Sequence, residues 1–406
     1  MTTQFAVVSS ALPPEPSGQA IALGRILAGV DPRRYLLISR PIWFKPLASR
    51  AGGLAARRVE VRDIFTRVGL PFLSRSYFLD DAAMILSLAM ELGRVAREER
   101  LGLMTVCTAD LYLLPAAWLA GRLYGIRYIP YLFDDYAYQW SGRRRMISTA
   151  LEPVVMKGAC GVICVNDTMA MEYKSRYGVE SEIIYNPGPG LLPPAAHDSP
   201  RGTGETSIVY AGAVYEAHYG AMRNMAEAIT GLDRGDVYFD IYTQQHSQAK
   251  AAGIDGPRVR YHPYQDNASI RGELMKADIL FLPMAFKSGL DRVIQTASPA
   301  KMSEYLSTGR PILAHAPEGS FAVEYLRRHE CGACVMENDP AALRRAIGAI
   351  LDGGEYVKAM TTNALTRAME DFDAEKMTAR FLRYLEDRMP GAGKLDANGS
   401  GAGKQG

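Results

Sequence analysis

Short apolar runs alternate with amphipathic stretches along the first half of the chain. The runs contain few polar residues, as in parallel strands buried on both faces, and segments with helical periodicity such as SGQAIALGRILAGV separate them. This alternation predicts consecutive β-α-β units, and therefore a doubly wound domain over residues 1–186. The predicted strands are QFAVVSSA, RYLLISR, GLMTVCT, RYIPYLF and GVICVND.

A second series of the same kind follows a segment dense in Pro, Gly and small polar residues. We interpret residues 187–206 as a linker and residues 207–370 as a second domain. The predicted fold class is α/β, with two Rossmann-like doubly wound domains facing across a cleft. Ligands of such sheets bind at the carboxyl ends of the strands, so each domain would bind one of two partners. The predicted strands are SIVYAGAV, DVYFDIYT, VRYHPYQ, DILFLPMA, PILAHAP and ACVME.

Composition and charge limit the functions that the chain can have. The 406 residues are 48% hydrophobic and 22% charged, which is ordinary for a soluble enzyme. The net charge of +2 gives no support for a nucleic-acid partner. The first 200 residues carry a net charge of +4 and the remainder −2. A weakly basic first half suits an anionic acceptor or a membrane surface, although a solvated basic face would have the same composition.

The cysteines favour a reducing compartment. They number five, and no secretory signal opens the chain, so we expect a cytoplasmic protein without a disulfide framework. Cys331 and Cys334 form a lone CxxC pair, which we interpret as core thiols because zinc would need two further ligands. Residues 101–121 carry one charge, and we interpret them as a buried strand followed by a helix capped by Asp110, not as a membrane span.

The segment SPAKMSEYLSTGRPILAH, residues 298–315, contains the strongest candidate chemistry. Ser298 is the predicted N-cap of a helix that ends at Gly309, and Lys301 lies in its first turn, where a carboxylate is usually favoured. A helix start that also carries a lysine is suited to a phosphate, and Glu304, one turn further, can accept hydrogen bonds from ribose hydroxyls. The segment therefore indicates a nucleoside diphosphate. The alternative is a solvated Lys301 that pairs with Glu304.

This segment resembles the nucleotide-binding signature of GT-B glycosyltransferases, in particular the family 4-like group. The signature has the form P-x-K-x-x-E-Y-x-x-x-G-x-P, and all of its named positions are matched. The similarity extends to the first strand and its glycine loop, to the segment 161–188, and to the first strand and helix after the linker. The matching residues are Pro299, Lys301, Glu304, Tyr305, Gly309 and Pro311.

The resemblance implies a GT-B fold and assigns further roles. Glu304 would bind the ribose of the donor, and Gly18, in the loop Pro16–Gln19, would lie near the diphosphate and acceptor unless this loop is only a tight turn. The helix at 371–389 would pack back on the first domain. The Gly-rich residues 390–406 are expected to be a disordered tail.

Two common phosphate contacts of the family are missing. After Gly212, the first glycine of the second domain, Ala213 replaces an arginine, and His218 or Tyr219 stands near the place of a lysine. Thr296 occupies a position that is acidic in the family. Lys287 and Arg292 could supply the missing positive charge, although an exposed basic loop is an equal alternative.

Two aromatic side chains are candidates for contact with the nucleotide base. His262 and Tyr264 follow a predicted strand of the second domain, where they would stack on the base or only pack on the domain. These residue types do not distinguish uracil from guanine. The donor is therefore expected to be linked to UDP or GDP.

The acceptor side is predicted at residues 130–145. Asp134 and Asp135 follow a strand directly, and either carboxylate could act as a general base and invert the anomeric centre. Family 4 membership implies retention instead, with the departing diphosphate helping to deprotonate the acceptor. Arg143–Arg145 would meet an anionic acceptor or form a solvated helix face. The aromatic residues Tyr136, Tyr138 and Trp140 would stack on a sugar or pack on the domain.

The expected function is transfer of a sugar from a nucleotide-diphosphate sugar to a glycan or lipid-linked acceptor, in surface polysaccharide or glycoconjugate synthesis. Retention is favoured, no cofactor is expected, and no Asp-x-Asp pattern indicates a metal. Peripheral contact with the inner face of the membrane is possible. The alternatives are a GT-B-fold sugar-nucleotide epimerase and a non-catalytic binding partner.

Overall fold

The computed structural model describes residues 4–15, 17–40, 53–65, 77–191, 204–286 and 289–390. Pro16, Lys287, most of the predicted linker and the tail beyond residue 390 lie outside the described residues. The chain forms two compact units. The first contains the residues up to Tyr185 together with those from Glu375 onward, and the second contains Asn186–Ala374.

The first unit is built on a seven-stranded sheet in the order β3-β2-β1-β4-β5-β6-β7, and all of its pairings are parallel. The central strands are buried along their whole length, as their continuous apolar runs predict. The short strand β3 was missed because its three residues are at most half-buried and form no apolar run. The strands are β1 Phe5–Ser9, β2 Tyr35–Ser39, β3 Arg58–Glu60, β4 Leu103–Cys107, β5 Arg127–Leu132, β6 Val162–Cys164 and β7 Ser181–Ile183.

Helices accompany this sheet, and two of those that the structure describes begin at a capping side chain. Ser17 accepts a hydrogen bond from Ala20 N at the start of α1, and Asn166 accepts one from Met169 N at the start of α5. The N-cap of α3 is Tyr112, so the prediction that Asp110 caps this helix was wrong. Asp110 Oδ1 instead accepts hydrogen bonds from the amides of Tyr112 and Leu113, just before and at the start of the helix. The helices are α1 Gly18–Ala28, α2 Tyr77–Glu98, α3 Leu113–Tyr124, α4 Gly142–Gly158, α5 Asp167–Tyr177 and the C-terminal Ala374–Glu386.

The C-terminal helix is fixed to the first sheet by buried contacts. The Phe381 ring lies 6.0 Å from that of Phe5, edge to face. Tyr384 Oη donates a hydrogen bond to Val162 O and accepts one from Val162 N, both at 3.0 Å. The helix Ala374–Glu386 therefore completes the core of the unit to which strand β1 belongs.

The second unit is built on a six-stranded parallel sheet in the order β10-β9-β8-β11-β12-β13. Its strands match the second series of apolar runs. Phe239 and Phe281, from strands on either side of the first strand of the unit, pack edge to face at 5.6 Å in its core. The strands are β8 Thr206–Ala211, β9 Val237–Tyr242, β10 Val259–His262, β11 Ile279–Pro283, β12 Ile312–His315 and β13 Ala333–Val335.

Helices connect these strands, and the first residues of the predicted linker pack among them. Gly188 N donates to Phe372 O at 2.8 Å, and Asn186 Nδ2 donates to Ser298 O at 3.1 Å, so the second unit begins before residue 207. The helices are α6 Glu216–Thr230, α7 His246–Ala251, α8 Asn267–Met275, α9 Asp291–Thr296, α10 Ala300–Leu306, α11 Phe321–Arg328, α12 Pro340–Leu351 and α13 Glu355–Glu370; the C-terminal helix is α14.

Candidate nucleotide-binding site

Lys301 lies directly over Gly212 at the carboxyl end of β8. A Cβ atom on Gly212 would come within 2.4 Å of Lys301 Cε and 2.8 Å of Nζ, and the Gly212 backbone has a φ of +136°. The amide of Gly212 donates to Tyr242 O at 2.9 Å, so this turn is held in place. The backbone conformation therefore favours glycine here, and a side chain at this position would displace the end of Lys301.

The residues around Lys301 limit the contact of its ammonium group with water. The side chain is half-buried, and burial lowers the pKa of Lys301 to about 8, against the opposing effect of Glu304. Its Nζ lies 5.1 Å from the centre of the Tyr210 ring. Glu304, one turn further along α10, is also half-buried, and its charge favours the protonated form of Lys301. The alternative of a lysine that pairs with Glu304 therefore stays open. A partly desolvated cation is suited to an incoming anion.

His218, one of the two residues predicted to stand near the place of the family lysine, lies close to Lys301. It is half-buried in the first turn of α6, with Nδ1 3.5 Å from Tyr210 Oη and its ring 4.4 Å from that of Tyr215. Burial, together with the charge of Lys301, lowers the pKa of His218 to about 3. The imidazole is therefore neutral near pH 7 and does not replace the missing cation.

Tyr305 explains the aromatic position of the signature. Its side chain is fully buried, and its Oη accepts a hydrogen bond from Ala211 N at 3.4 Å. This contact joins α10, which carries Lys301 and Glu304, to the end of β8. Tyr210, the residue before Ala211, was missed as part of the site; a tyrosine that ends an apolar run just before a glycine was the only available signal.

The start of the signature helix differs from the prediction by one residue. Pro299, with extended backbone angles, is the N-cap, and α10 begins at Ala300, so the prediction that Ser298 is the N-cap was wrong. Ser298 instead offers its carbonyl oxygen to Asn186. The helix ends at Leu306, and Gly309, with φ +69°, completes the turn that leads to β12.

The neighbouring helix α9 carries two further candidates. Thr296, at the position that is acidic in the family, is buried, and its hydroxyl donates to Arg292 O at 3.2 Å. This hydroxyl therefore satisfies the backbone of its own helix. Arg292 is exposed on the same helix.

The side chains predicted near the base behave differently from each other. His262 is held by Asp240, whose Oδ1 lies 2.6 Å from Nε2, and its ring stacks on Tyr242 with the centres 4.5 Å apart. Asp240 is buried and also accepts a hydrogen bond from Ser207 at 2.5 Å. Tyr264, in contrast, is 46% exposed. His262 is thus fixed by Asp240 and Tyr242, and Tyr264 is the more exposed of the two candidates for contact with a base.

In the first unit, the two adjacent aspartates at the end of β5 have different environments. Asp135 is buried; its carboxylate accepts hydrogen bonds from the amides of Ala137 and Tyr138 and pairs with Arg176. Arg176 also pairs with Glu152 at 3.0 Å. The Asp135 carboxylate is fully engaged in holding the loop, which does not favour it as a general base.

Asp134 is exposed, although surrounding protein and the adjacent Asp135 raise the pKa of its carboxyl group. Its amide donates to Thr108 Oγ1 at 3.3 Å, which fixes the backbone at the end of the strand. A carboxylate with a raised pKa on a fixed loop is suited to accepting a proton. Of the two predicted aspartates, only Asp134 presents its side chain to solvent.

The aromatic and basic residues after these aspartates mostly pack on the unit. Tyr136 is fully buried and donates to Leu111 O at 2.5 Å. Tyr138 lies under the guanidinium of Arg145, at 4.5 Å. Arg143 pairs with Asp81, whereas Arg144 and Arg145 are exposed.

Gly18 opens helix α1 at the same edge of the first sheet and is exposed. The loop before it is fixed by Gln19, which donates to Ser9 Oγ at 2.6 Å.

Arg40 forms a buried ion cluster at the carboxyl edge of the first sheet, and sequence reasoning missed this cluster. Its guanidinium pairs with Asp63 at 2.9 Å and with Asp110 at 2.7 Å. Each of the three residues closely follows a strand, and that placement was the only available signal.

The described residues contain neither a candidate metal site nor a candidate membrane-spanning helix. Within the described ranges, no group of three or more His, Cys, Asp or Glu side chains could hold a metal ion. In the same ranges, no helix has the length and apolar character needed to cross a membrane.

Comparisons with known proteins confirm the predicted fold class and the predicted resemblance. Residues 205–353 match the family profile described as glycosyl transferases group 1. A search of curated protein sequences finds no match.

Solved structures with the same fold are numerous. Sucrose-phosphate synthase from Thermosynechococcus elongatus has a TM-score of 0.70 at 14% identity, covering 95% of this chain and 99% of that chain. HepE of Anabaena in complex with UDP has a TM-score of 0.65 at 15% identity, with coverages of 95% and 100%. WaaG, a glycosyltransferase involved in lipopolysaccharide biosynthesis, has a TM-score of 0.62 at 15% identity, with the same coverages. The chain therefore has the GT-B fold.

Proposed function

We propose that this chain, with a GT-B fold and a second unit that matches glycosyl transferases group 1, transfers a sugar from a nucleotide-diphosphate sugar. The observation that carries the proposal is the half-buried Lys301 over Gly212, with its pKa lowered to about 8. A diphosphate beside Lys301 would stabilise the positive charge of the ammonium group through charge-assisted hydrogen bonds, in place of the water that burial has removed. The prediction of a glycosyltransferase agrees with the family match to the half of the chain that contains this lysine.

The donor is proposed to be a UDP-sugar. HepE has been solved with UDP and with UDP-glucose, and this chain shares its fold. In the proposed complex Lys301 binds the diphosphate, Glu304 accepts hydrogen bonds from the ribose, and Tyr264 contacts the base. Gly212 lets the backbone approach the phosphates. Arg292, Ser298 and Lys287 remain proposed contributors to phosphate binding, and Gly18 to the diphosphate and acceptor.

The chemical step forms a bond from an acceptor hydroxyl oxygen to the anomeric carbon, while the bond from that carbon to the diphosphate breaks. We favour retention, in which the departing phosphate oxygen helps to take the hydroxyl proton, with charge stabilised by Lys301 and without a metal. If the Asp134 carboxylate takes the proton from the opposite face, the product is inverted. The anomeric configuration of the product, determined by NMR, separates the two routes.

The acceptor is proposed to be a glycan or a lipid-linked sugar, as in synthesis of surface polysaccharide or glycoconjugate. WaaG, which shares the fold, is involved in lipopolysaccharide biosynthesis. Peripheral contact with the cytoplasmic face of a membrane is proposed through the start of α4, where Arg144 and Arg145 are exposed and Met146 is 62% exposed. Retention of the chain by anionic vesicles, and not by neutral vesicles, tests this contact.

Thermal unfolding with UDP, GDP, CMP, dTDP and ADP tests the donor site. A ligand at about 100 times its dissociation constant adds about 2.7 kcal/mol to the free energy of unfolding. We expect UDP to stabilise the wild type and to lose this effect in Lys301→Ala and Glu304→Ala. Lys358→Ala, which removes an exposed lysine of the same unit, is the matched control and should respond as the wild type does.

Two alternatives predict other outcomes. A sugar-nucleotide epimerase would convert UDP-glucose without an acceptor. A non-catalytic binding partner would show no stabilisation by any of these nucleotides, and that result would overturn the transferase proposal.

A further inference from the structure

A cavity of about 370 Å³ opens in the first unit at the amino ends of its strands. It lies where helices α3 and α4 end and strand β5 begins, whereas Asp134 and Gly18 lie at the opposite, carboxyl edge of the same sheet. The volume falls within the range of about 300–1,000 Å³ that is usual for small-molecule sites. No role in the proposed transfer reaction involves this cavity.

Two unpaired arginines line the cavity. Arg122 and Arg127 are exposed, and neither forms an ion pair with any residue that the structure describes. The lining contains no aspartate or glutamate. The guanidinium of Arg127 approaches the thiol of Cys160, which also lines the cavity.

A third arginine lies behind the same wall. A Cβ atom on Gly161, the residue after Cys160, would come within 2.5 Å of Arg388 Nε. This Nε is buried and has no hydrogen-bond partner in the described part of the chain. The wall around Cys160 is therefore faced by two guanidinium groups from different elements, β5 and the segment after α14.

Helix dipoles reduce this positive charge but do not cancel it. The carboxyl ends of α3 and α4 meet at the cavity, and each carries about half a negative charge. A helix carboxyl end attracts a basic side chain even without a ligand, so these two ends would balance about one of the lining arginines. Two lining guanidinium groups, with Arg388 behind them, exceed about one negative charge, so an anion is the complementary ligand.

Two aromatic side chains, Trp118 and Tyr128, also line the cavity. A Cβ atom on Gly158 would come within 2.8 Å of Trp118 Cδ1 and 3.0 Å of Tyr128 Oη, so glycine is needed where α4 ends against these rings. Tyr128 is fixed because its hydroxyl donates to Val155 O at 2.5 Å. An aromatic wall beside guanidinium groups is suited to a ligand with one apolar face and one anionic group.

We propose that this cavity binds a small anionic saccharide, with Arg122 and Arg127 holding its phosphate or carboxylate group and Trp118 contacting the sugar ring. The site would be a non-catalytic one, separate from the donor site in the second unit. The proposal stands or falls independently of the proposed transfer function, because none of its residues takes part in donor binding.

Calorimetric titration of the full chain with glucose 6-phosphate and with glucuronate tests the proposal, with glucose and inorganic phosphate as partial ligands. We expect at least one anionic sugar to bind, and Arg122→Gln/Arg127→Gln to weaken its binding at least tenfold. Arg33→Gln/Arg62→Gln is the matched control because it removes two exposed arginines of the same unit that do not line the cavity. The control should bind as the wild type does, and both double variants should keep their stabilisation by UDP.

Three outcomes would overturn the proposal. The first is no binding of either anionic sugar at 10 mM. The second is equal affinity in Arg122→Gln/Arg127→Gln and the wild type. The third is binding of inorganic phosphate as tight as that of glucose 6-phosphate, with no binding of glucuronate, because the aromatic wall would then contribute nothing. If UDP does not stabilise the wild type, the donor-site proposal fails and the proposal for this cavity is unaffected.

Discussion

The affinity for UDP should fall as the pH rises through 8. Burial lowers the pKa of Lys301 to about 8 in the free protein, and a diphosphate beside the ammonium group should return it to its ordinary value of about 10.5. Between these two values the complex holds more protons than the free protein, so binding takes up a proton. Binding is therefore favoured at low pH and weakens at high pH.

The size of the effect follows from the two pKa values. At pH 7 almost every Lys301 side chain is charged in both states, whereas at pH 9 only about one in ten is charged in the free protein. The dissociation constant should therefore rise about tenfold from pH 7 to pH 9, equivalent to about 1.4 kcal/mol. His218 adds no slope in this range, because its pKa is lowered to about 3.

Calorimetric titration with UDP across this pH range measures the effect, and substitutions assign it. In Lys301→Arg the charge persists at every pH, and in Lys301→Met it is absent at every pH, so the slope should vanish in both. Lys358→Ala should keep the wild-type slope. A wild-type affinity that stays constant from pH 7 to pH 9, or a slope that persists in Lys301→Arg, would refute the assignment of Lys301 to the diphosphate.

Three further predictions concern the packing around the sites. Gly212→Ala should weaken UDP binding at least tenfold in titration, because the new methyl group meets Lys301, whereas Gly220→Ala in open space should not. Arg176→Met should lower the free energy of unfolding by about 3–5 kcal/mol in urea titration, because it leaves Asp135 and a second buried carboxylate unpaired; a loss below about 1 kcal/mol would contradict this role. Tyr384→Phe should cost about 1–2 kcal/mol by the same measurement, because it removes both hydrogen bonds to the Val162 backbone, and an unchanged midpoint would argue against them.

The strands were predictable because burial on both faces produces apolar runs that can be read locally. The boundaries of α10 were not, since Ser298 offers its carbonyl group to Asn186, a residue 112 positions away. The same limit applies to Asp135, which looked equivalent to Asp134 in sequence. The difference between them comes from Arg176, 41 positions further along the chain. Pairings of this kind depend on the fold and leave no local pattern.

The departures from the family signature have a physical consequence at Lys301. Each further cation near a lysine disfavours its charged form, so an arginine at 213 and a lysine at 218 would lower the pKa of Lys301 below its present value of about 8. With Ala213 and a neutral His218 in those places, Lys301 keeps most of its charge near pH 7 without help from a ligand. In the proposed complex, the missing contacts would therefore remove two potential phosphate partners but leave Lys301 charged at the pH where a diphosphate has to be bound. Because Lys301 is half-buried, its charge should affect the affinity for a diphosphate more than the charge of the exposed Arg292 does, which is why the pH dependence is expected to follow Lys301.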